Sequence, residues 1–173
     1  MRIIADLHIH SHYSRATSPR LTVPYLDRWA RIKGISLVGT GDCTHPGWLS
    51  ELRENLDNAE DGLFTLKNSM REAFDSGPAM AEELPRPGLF LPGGKDGETA
   101  GNEQNAKVRF VLSGEISTIY KRDGKTRKVH HVVLLPDFKA AALFNTKLER
   151  IGNIRSDSRP ILGIDSRDLF SML

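Results

Sequence analysis

The chain alternates between short apolar runs and longer stretches of helical spacing. Ile3-Ile4 reads as part of a first strand and passes directly into Ala5-Asp6-Leu7-His8-Ile9-His10-Ser11-His12. Thr22 and Pro24 have the chemistry of a helix start, and Leu26, Trp29, Ala30 and Ile32 fall near a 3.6-residue period before Gly34 supplies a stop. Ile35 to Val38 reads as a second strand that ends in Gly39-Thr40-Gly41-Asp42. A strand, a helix and a strand of these lengths form a βαβ unit, which favours parallel pairing. A second helix is expected from Pro46 to about Leu56, with Trp48, Leu49, Leu52 and Leu56 on one face.

The periodicity lapses from residue 67 to residue 106, where Gly77-Pro78, Pro85-Arg86-Pro87-Gly88 and Pro92-Gly93-Gly94 accumulate. This stretch reads as a mobile surface insertion with one short helix around Ser69 to Phe74; a substrate-contacting flap is the functional alternative. Val108–Tyr120 and Lys128–Leu135 are strand-like and flank Asp123-Gly124, a strong hairpin signal. With Asp123 and Gly124 as the two turn residues, Arg122 faces Lys125, Ser117 faces His130 and Glu115 faces Val132. His130 then lies diagonally from Glu115 on one face of the hairpin, and His131 points to the other. Asp137 is placed to cap a helix running to about Ile151, with Ala141, Phe144 and Leu148 spaced for burial and Gly152 as its stop. A polar loop over 155–160, a short strand at Ile161-Leu162-Gly163-Ile164 and a last helix begun by Asp165 or Ser166 complete the reading. There is no internal repeat and no heptad.

A chain of 173 residues has room for one domain and one core. With 39% hydrophobic and 27% charged residues it reads as a soluble globular protein. No apolar run approaches the ~20 residues of a membrane helix, and the N-terminal residues lack a signal-peptide pattern. The single cysteine, Cys43, excludes an internal disulfide framework and suits a reducing cytoplasm. A net charge of +2 is too small to argue for nucleic acid by itself. Any DNA contact must come from local groups: Lys121, Arg122, Lys125, Arg127 and Lys128 at the hairpin tip, with Arg15 and Arg155 as separate candidates for phosphate contact.

The candidate chemistry starts at His8 and His10. Side chains alternate along a strand, so the two imidazoles project to one side at a strand end and form a ready pair of metal ligands. Asp42 ends the neighbouring strand. Glu115 sits in an apolar strand, where an unpaired carboxylate would be costly. It therefore either faces solvent or has partners, and a carboxylate bridging two cations is a common partnered state. His130 is a ligand or a satisfied core histidine, and His12 is expected to face solvent. Asp6 is placed to orient a ligand histidine, or is simply a strand-end carboxylate.

Asp6-Leu7-His8-Ile9-His10-Ser11 resembles the first motif of the polymerase-and-histidinol-phosphatase (PHP) phosphoesterases. Ser14-Arg15-Ala16-Thr17-Ser18, Gly39-Thr40-Gly41-Asp42, Ser113-Gly114-Glu115-Ile116-Ser117 and Gly152-Asn153-Ile154-Arg155-Ser156-Asp157 together resemble the endonuclease Q branch. The resemblance covers most of the chain outside 67–106. It implies an α/β fold, an incomplete, distorted (β/α)7 PHP-type barrel with its site at the C-terminal ends of the strands. It also implies divalent metal ions, zinc first and manganese or magnesium as alternatives. His8, His10, Asp42, Glu115 and His130 are the candidate ligands, and Glu115 and Asp42 the candidate catalytic carboxylates. The implied activity is nicking of DNA at deaminated bases, with Arg15, Arg155, Lys125 and Arg127 on the substrate. A phosphatase acting on a small phosphate ester, and a non-catalytic metal-binding module of a larger nucleic-acid enzyme, are the other readings. Two departures from the family pattern stand out. Cys43 follows Asp42 where the family usually has histidine, with His45 nearby, and the final Asp-x-His motif is missing, since no histidine follows His131. The second departure leads to the expectation that the chain is the N-terminal portion of a longer enzyme, or a degenerate copy.

Overall fold

The computed structural model describes residues 3–77 and 107–173. Its elements, in chain order, are β1 (Ala5–Asp6), α1 (Val23–Lys33), β2 (Leu37–Gly39), α2 (Pro46–Asn55), β3 (Leu56–Asn58), β4 (Phe64–Leu66), α3 (Asn68–Asp75), β5 (Arg109–Arg122), β6 (Lys125–Leu135), α4 (Phe138–Glu149), β7 (Ile161–Leu162) and α5 (Ser166–Phe170). Seven strands form one mixed sheet in the order β1-β2-β5-β4-β3, with β6 and β7 also paired to β5. The βαβ expectation holds: β1 and β2 are parallel, joined through α1, which Gly34 ends in the left-handed conformation at φ 68°. The sheet is open rather than closed into a barrel.

β5 organises the sheet because its two ends have different partners. Residues 109–111 run parallel to β2, with Phe110 also opposite Phe64 of β4. From Leu112 onward the strand pairs antiparallel with β6, and Ser117-Thr118 pair in parallel with β7. The hairpin register is the one counted from sequence, Arg122 opposite Lys125 and Ser117 opposite His130. Its cause is the turn. Asp123 and Gly124 both take positive φ, 52° and 71°, the two-residue geometry whose twist matches that of the strands.

The core lies between the sheet and α2 and α4, where Trp48, Leu52, Phe110, Leu112, Ile116, Phe144 and Leu148 are buried. Two strands, β3 and β4, lie in a segment the hydrophobic pattern left unassigned. Three-residue strands are too short to show alternation, and Leu56 reads as the end of the preceding helical face. The start of the 67–106 segment is helical. α3 is tied to α1 by a buried ion-pair network in which Asp27 accepts from Arg31 and Arg71 at 2.9 Å each, while Arg31 also reaches Asp75 at 2.9 Å. The rest of the expected insertion, 78–106, lies outside the described residues.

Candidate metal centre

The two segments that follow β1 and β2, together with β5 and β6, build the site, and small residues let them approach. A Cβ at Gly39 would lie 2.5 Å from the Leu7 carbonyl oxygen, and one at Gly41 would lie 2.2 Å from that of Ile9. Gly41 also has φ 61°, and Asp42 follows at φ 52°, so two successive residues turn through the left-handed region. The Trp48 indole fixes this turn by donating to the carbonyls of Thr40 at 3.2 Å and Gly41 at 2.8 Å. Ser113 laces it to β5: its amide donates to Thr40 Oγ1 at 3.0 Å, its hydroxyl accepts from the Gly41 amide at 2.8 Å, and its carbonyl accepts from the Cys43 amide at 2.9 Å.

Glu115, two residues further along β5, is the centre of the cluster, with a side chain only 3% exposed. Its Oε2 accepts from His8 Nε2 at 3.0 Å and lies 3.2 Å from His10 Nε2. Its Oε1 accepts from His130 Nδ1, and Arg159 Nη1 stands 4.0 Å from the same oxygen. One donor atom each from His8, His10 and Glu115 lies within 4.8 Å of the others. His130 is outside that triangle, on the other carboxylate oxygen. Burial alone would raise the Glu115 carboxyl, but the hydrogen bonds from His8 and His130, with the charges of His130 and Arg159, outweigh it and hold the group below its ordinary range.

Asp42 is fully buried and stands behind His10 rather than beside Glu115. Its Oδ1 accepts from His10 Nδ1 at 2.9 Å, and its Oδ2 accepts from the Ser11 amide and hydroxyl at 2.5 and 2.8 Å. The orienting contact that the sequence suggested for Asp6 is therefore made by Asp42, while Asp6 is exposed on β1. His12 does not face solvent as expected. Its side chain is 25% exposed and donates to Glu51 of α2 at 2.7 Å. His45 caps α2, its ring accepting from the Trp48 amide. His131 lies on the far face of the hairpin, 3.0 Å from the Ser166 hydroxyl. All six histidines of the sequence are thus placed, three of them around Glu115.

Of the candidate substrate contacts, none touches this cluster. Arg15 is 77% exposed and 3.7 Å from Asp157, Arg155 is paired with Glu149 at 2.7 Å, and Lys125 and Arg127 are exposed near the hairpin tip. The arginine that does reach the cluster, Arg159, was not singled out from sequence. Ser117 pairs with Ile161 in parallel, so the register carried back two steps sets Arg159 beside Glu115. Nothing in the sequence announces that pairing. Ser11, the other missed residue, sits inside the histidine motif, and its role follows only from the position of Asp42.

An α/β fold with imidazoles and a guanidinium gathered on one buried carboxylate at the strand ends offers a candidate metal site next to a cation suited to phosphate. The fold is similar to that of solved DNA endonucleases. The chain superposes on the lesion-specific endonuclease PfuEndoQ of Pyrococcus furiosus with a TM-score of 0.66 and 27% identity, covering 98% of this chain and 31% of that one. It superposes similarly on endonuclease Q in complex with a 27-mer duplex carrying an abasic lesion at its active site, with a TM-score of 0.65 and 28% identity over 97% of this chain and 31% of the other. The resemblance to endonuclease Q read from the motifs is therefore also a resemblance in fold, and the chain spans about a third of the length of those proteins. An uncharacterized protein of Methanocaldococcus jannaschii is 44% identical over 52 residues, 30% of this chain and 7% of that protein. No family model matches the sequence. Among the described residues, no helix is long and apolar enough to cross a membrane.

Proposed function

We propose that this chain is the metal-binding part of a DNA-nicking phosphodiesterase of the endonuclease Q type, acting at deaminated bases. The observation that carries the reading is Glu115, buried yet anionic, with imidazoles on both oxygens. His8, His10 and Glu115 would hold a divalent cation, and His130, on the other carboxylate oxygen, would be a further ligand. The donor set is nitrogen and oxygen with no available thiolate, which suits zinc and also admits manganese or magnesium. A bound divalent cation supplies Lewis-acid polarisation of a phosphodiester in such a site. The residues of the chain do the rest. Asp42, itself held by Ser11, fixes the His10 ring so that Nε2 points at the cluster. Arg159 presents a guanidinium, 44% exposed, to the mouth of the site, where a phosphate would meet it. We read the open sheet as part of a PHP-type barrel, and the single buried cysteine as suiting a cytoplasmic protein.

The test compares metal content and nicking for the wild type, His8→Ala and Glu115→Ala. The substrates are duplexes with uracil or hypoxanthine, an undamaged duplex and a generic phosphate ester. The reading expects metal loss in both variants, with weak or no nicking by this part of the enzyme alone and any nicking confined to the deaminated duplexes. Unchanged metal content in both variants would sink the metal assignment. Hydrolysis of the small ester without nicking would replace the endonuclease with a phosphatase.

A further inference from the structure

The register of the hairpin sorts its basic residues between two faces. Cross-strand partners share a face, and residues two apart along a strand share it as well. Glu115, Ser117, Ile119 and Lys121 of β5 therefore lie with Val132, His130, Lys128 and Thr126 of β6. Arg122, Lys125 and Arg127 lie on the opposite face, with Tyr120, Thr118 and His131.

The two faces have different surroundings near the site. The Arg122/Lys125/Arg127 face is covered toward its inner end by α5. Ser166 is 3.0 Å from His131 and 3.4 Å from Tyr120, and the Phe170 ring packs edge-on against His131 with centroids 5.4 Å apart. That helix brings Asp165 and Asp168 beside a single basic residue, Arg167, so its charge does not favour a phosphate chain. Among the described residues, the other face is uncovered at the site and toward the tip: the side chains of His8, His130 and Arg159 are 54%, 53% and 44% exposed, and Lys121 and Lys128 are exposed, while Glu115 and Ser117 lie buried at its floor. Lys128 is two residues from His130, about 7 Å at the rise of a strand, and Lys121 is six residues from Glu115, roughly 20 Å.

We propose that the Lys121/Lys128 face, ending at Arg159, is the track on which a nucleic-acid backbone reaches the Glu115 cluster, and that Lys125 and Arg127 lie off it. This rests on the DNA reading of the site and names the surface that serves it. At one phosphate per ~3.4 Å of each strand, the track spans about six nucleotides.

The test is binding of a short fluorescent DNA duplex to the full chain in the presence of a chelator, followed by anisotropy between about 50 and 200 mM salt. Each phosphate contact contributes about 0.9 to the slope of log K against log salt. Lys121→Ala/Lys128→Ala should lower the slope by about two and the low-salt affinity by tenfold or more, while Lys125→Ala/Arg127→Ala leaves both unchanged. All four residues are exposed, so neither pair threatens the fold. Equal losses in the two pairs, or a loss only in the second, would overturn the track while leaving DNA binding intact. A wild-type chain that binds no DNA would overturn the reading beneath it.

Discussion

Gly41→Ala should dismantle the site while leaving most of the fold standing. Two costs act at once. Gly41 has φ 61°, a left-handed conformation that costs a non-glycine residue about 1–2 kcal/mol. The added Cβ would also sit 2.2 Å from the Ile9 carbonyl oxygen, 1.2 Å short of the 3.4 Å where ordinary contact begins, and 2.9 Å from the Ile9 carbonyl carbon. These are backbone atoms, so the clash cannot be relieved by a rotamer change. Relief means parting the Ile9-His10 segment from the Gly41-Asp42 turn by about 1 Å, with overpacking strain of ~1–3 kcal/mol. That movement opens the 2.9 Å contact between His10 and Asp42 and the 2.5 Å contact between the Ser11 amide and Asp42. Loss of such an orienting partner lowers metal affinity about 10–100-fold. Gly124→Ala is the matched control: its φ is 71°, but a Cβ there meets nothing within 4 Å. It should cost ~1–2 kcal/mol, or roughly 2–8 °C in Tm, with no change in metal affinity. Gly41→Ala should cost ~2–5 kcal/mol and roughly 4–20 °C. Thermal melting and competition with a chromophoric zinc chelator read both effects. If Gly41→Ala melts no lower than Gly124→Ala and binds zinc like the wild type, the loops are not held as argued.

Asp27→Ala removes a fully buried carboxylate, leaving Arg71, 20% exposed, without its partner and Arg31, 4% exposed, with Asp75 alone; it should cost about 1.5–3 kcal/mol and loosen α3 on α1, read by thermal melting and by amide exchange over Asn68–Asp75. A loss under 1 kcal/mol would show that the network is not stabilising α1 against α3. Cys43 is fully buried; desolvation, with the nearby charge of Asp42, pushes its thiol up to about 12. Against an ordinary thiol near 8.5, its thiolate fraction at pH 8 is lower by about three orders of magnitude, so alkylation of the folded chain should be negligible and become rapid only on unfolding. Fast labelling of the native protein would contradict the burial.

The hairpin and the βαβ unit were legible from sequence because local chemistry dictates them. Asp123-Gly124 sets the turn, the turn sets the register, and the register puts Glu115 and His130 on one face and His131 on the other. His8 and His10 were legible as a His-x-His pair, although β1 ends at Asp6 and both project from the segment that follows it rather than from the strand. What escaped the reading depends on contacts between segments far apart in the chain. Arg159 reaches Glu115 only because β7 pairs in parallel with β5, and a two-residue strand carries no periodicity that could announce it. Asp42 was a candidate ligand through the motif resemblance. The left-handed turn through Gly41 and Asp42 instead sets its carboxylate behind His10, where Ser11 takes up the second oxygen. Lys125 and Arg127 lie on the face that α5 covers, which the sequence reading did not separate from the other basic residues of the tip.

The cysteine after Asp42, where the family that the motifs resemble usually has histidine, has a physical consequence for the site. Cys43 turns inward: its amide donates to the Ser113 carbonyl, its own carbonyl accepts from Asn145 of α4 at 3.0 Å, and its sulfur lies where a Cβ on Gly114 would be 3.4 Å away. A thiol held there is neutral, and a neutral thiol is a poor metal ligand. His45, the nearest substitute, spends its ring on the cap of α2, with Nδ1 accepting from the Trp48 amide and Nε2 donating to the Arg155 carbonyl at 3.1 Å. A cation away from Glu115 would therefore find neither an imidazole nor a thiolate from this stretch. The same contacts give Cys43 a structural role. The segment after Asp42 is anchored through its backbone to β5 and α4, so its side chain is free to become part of the core, while His10, Asp42 and Ser11 keep their geometry from the glycines and Trp48.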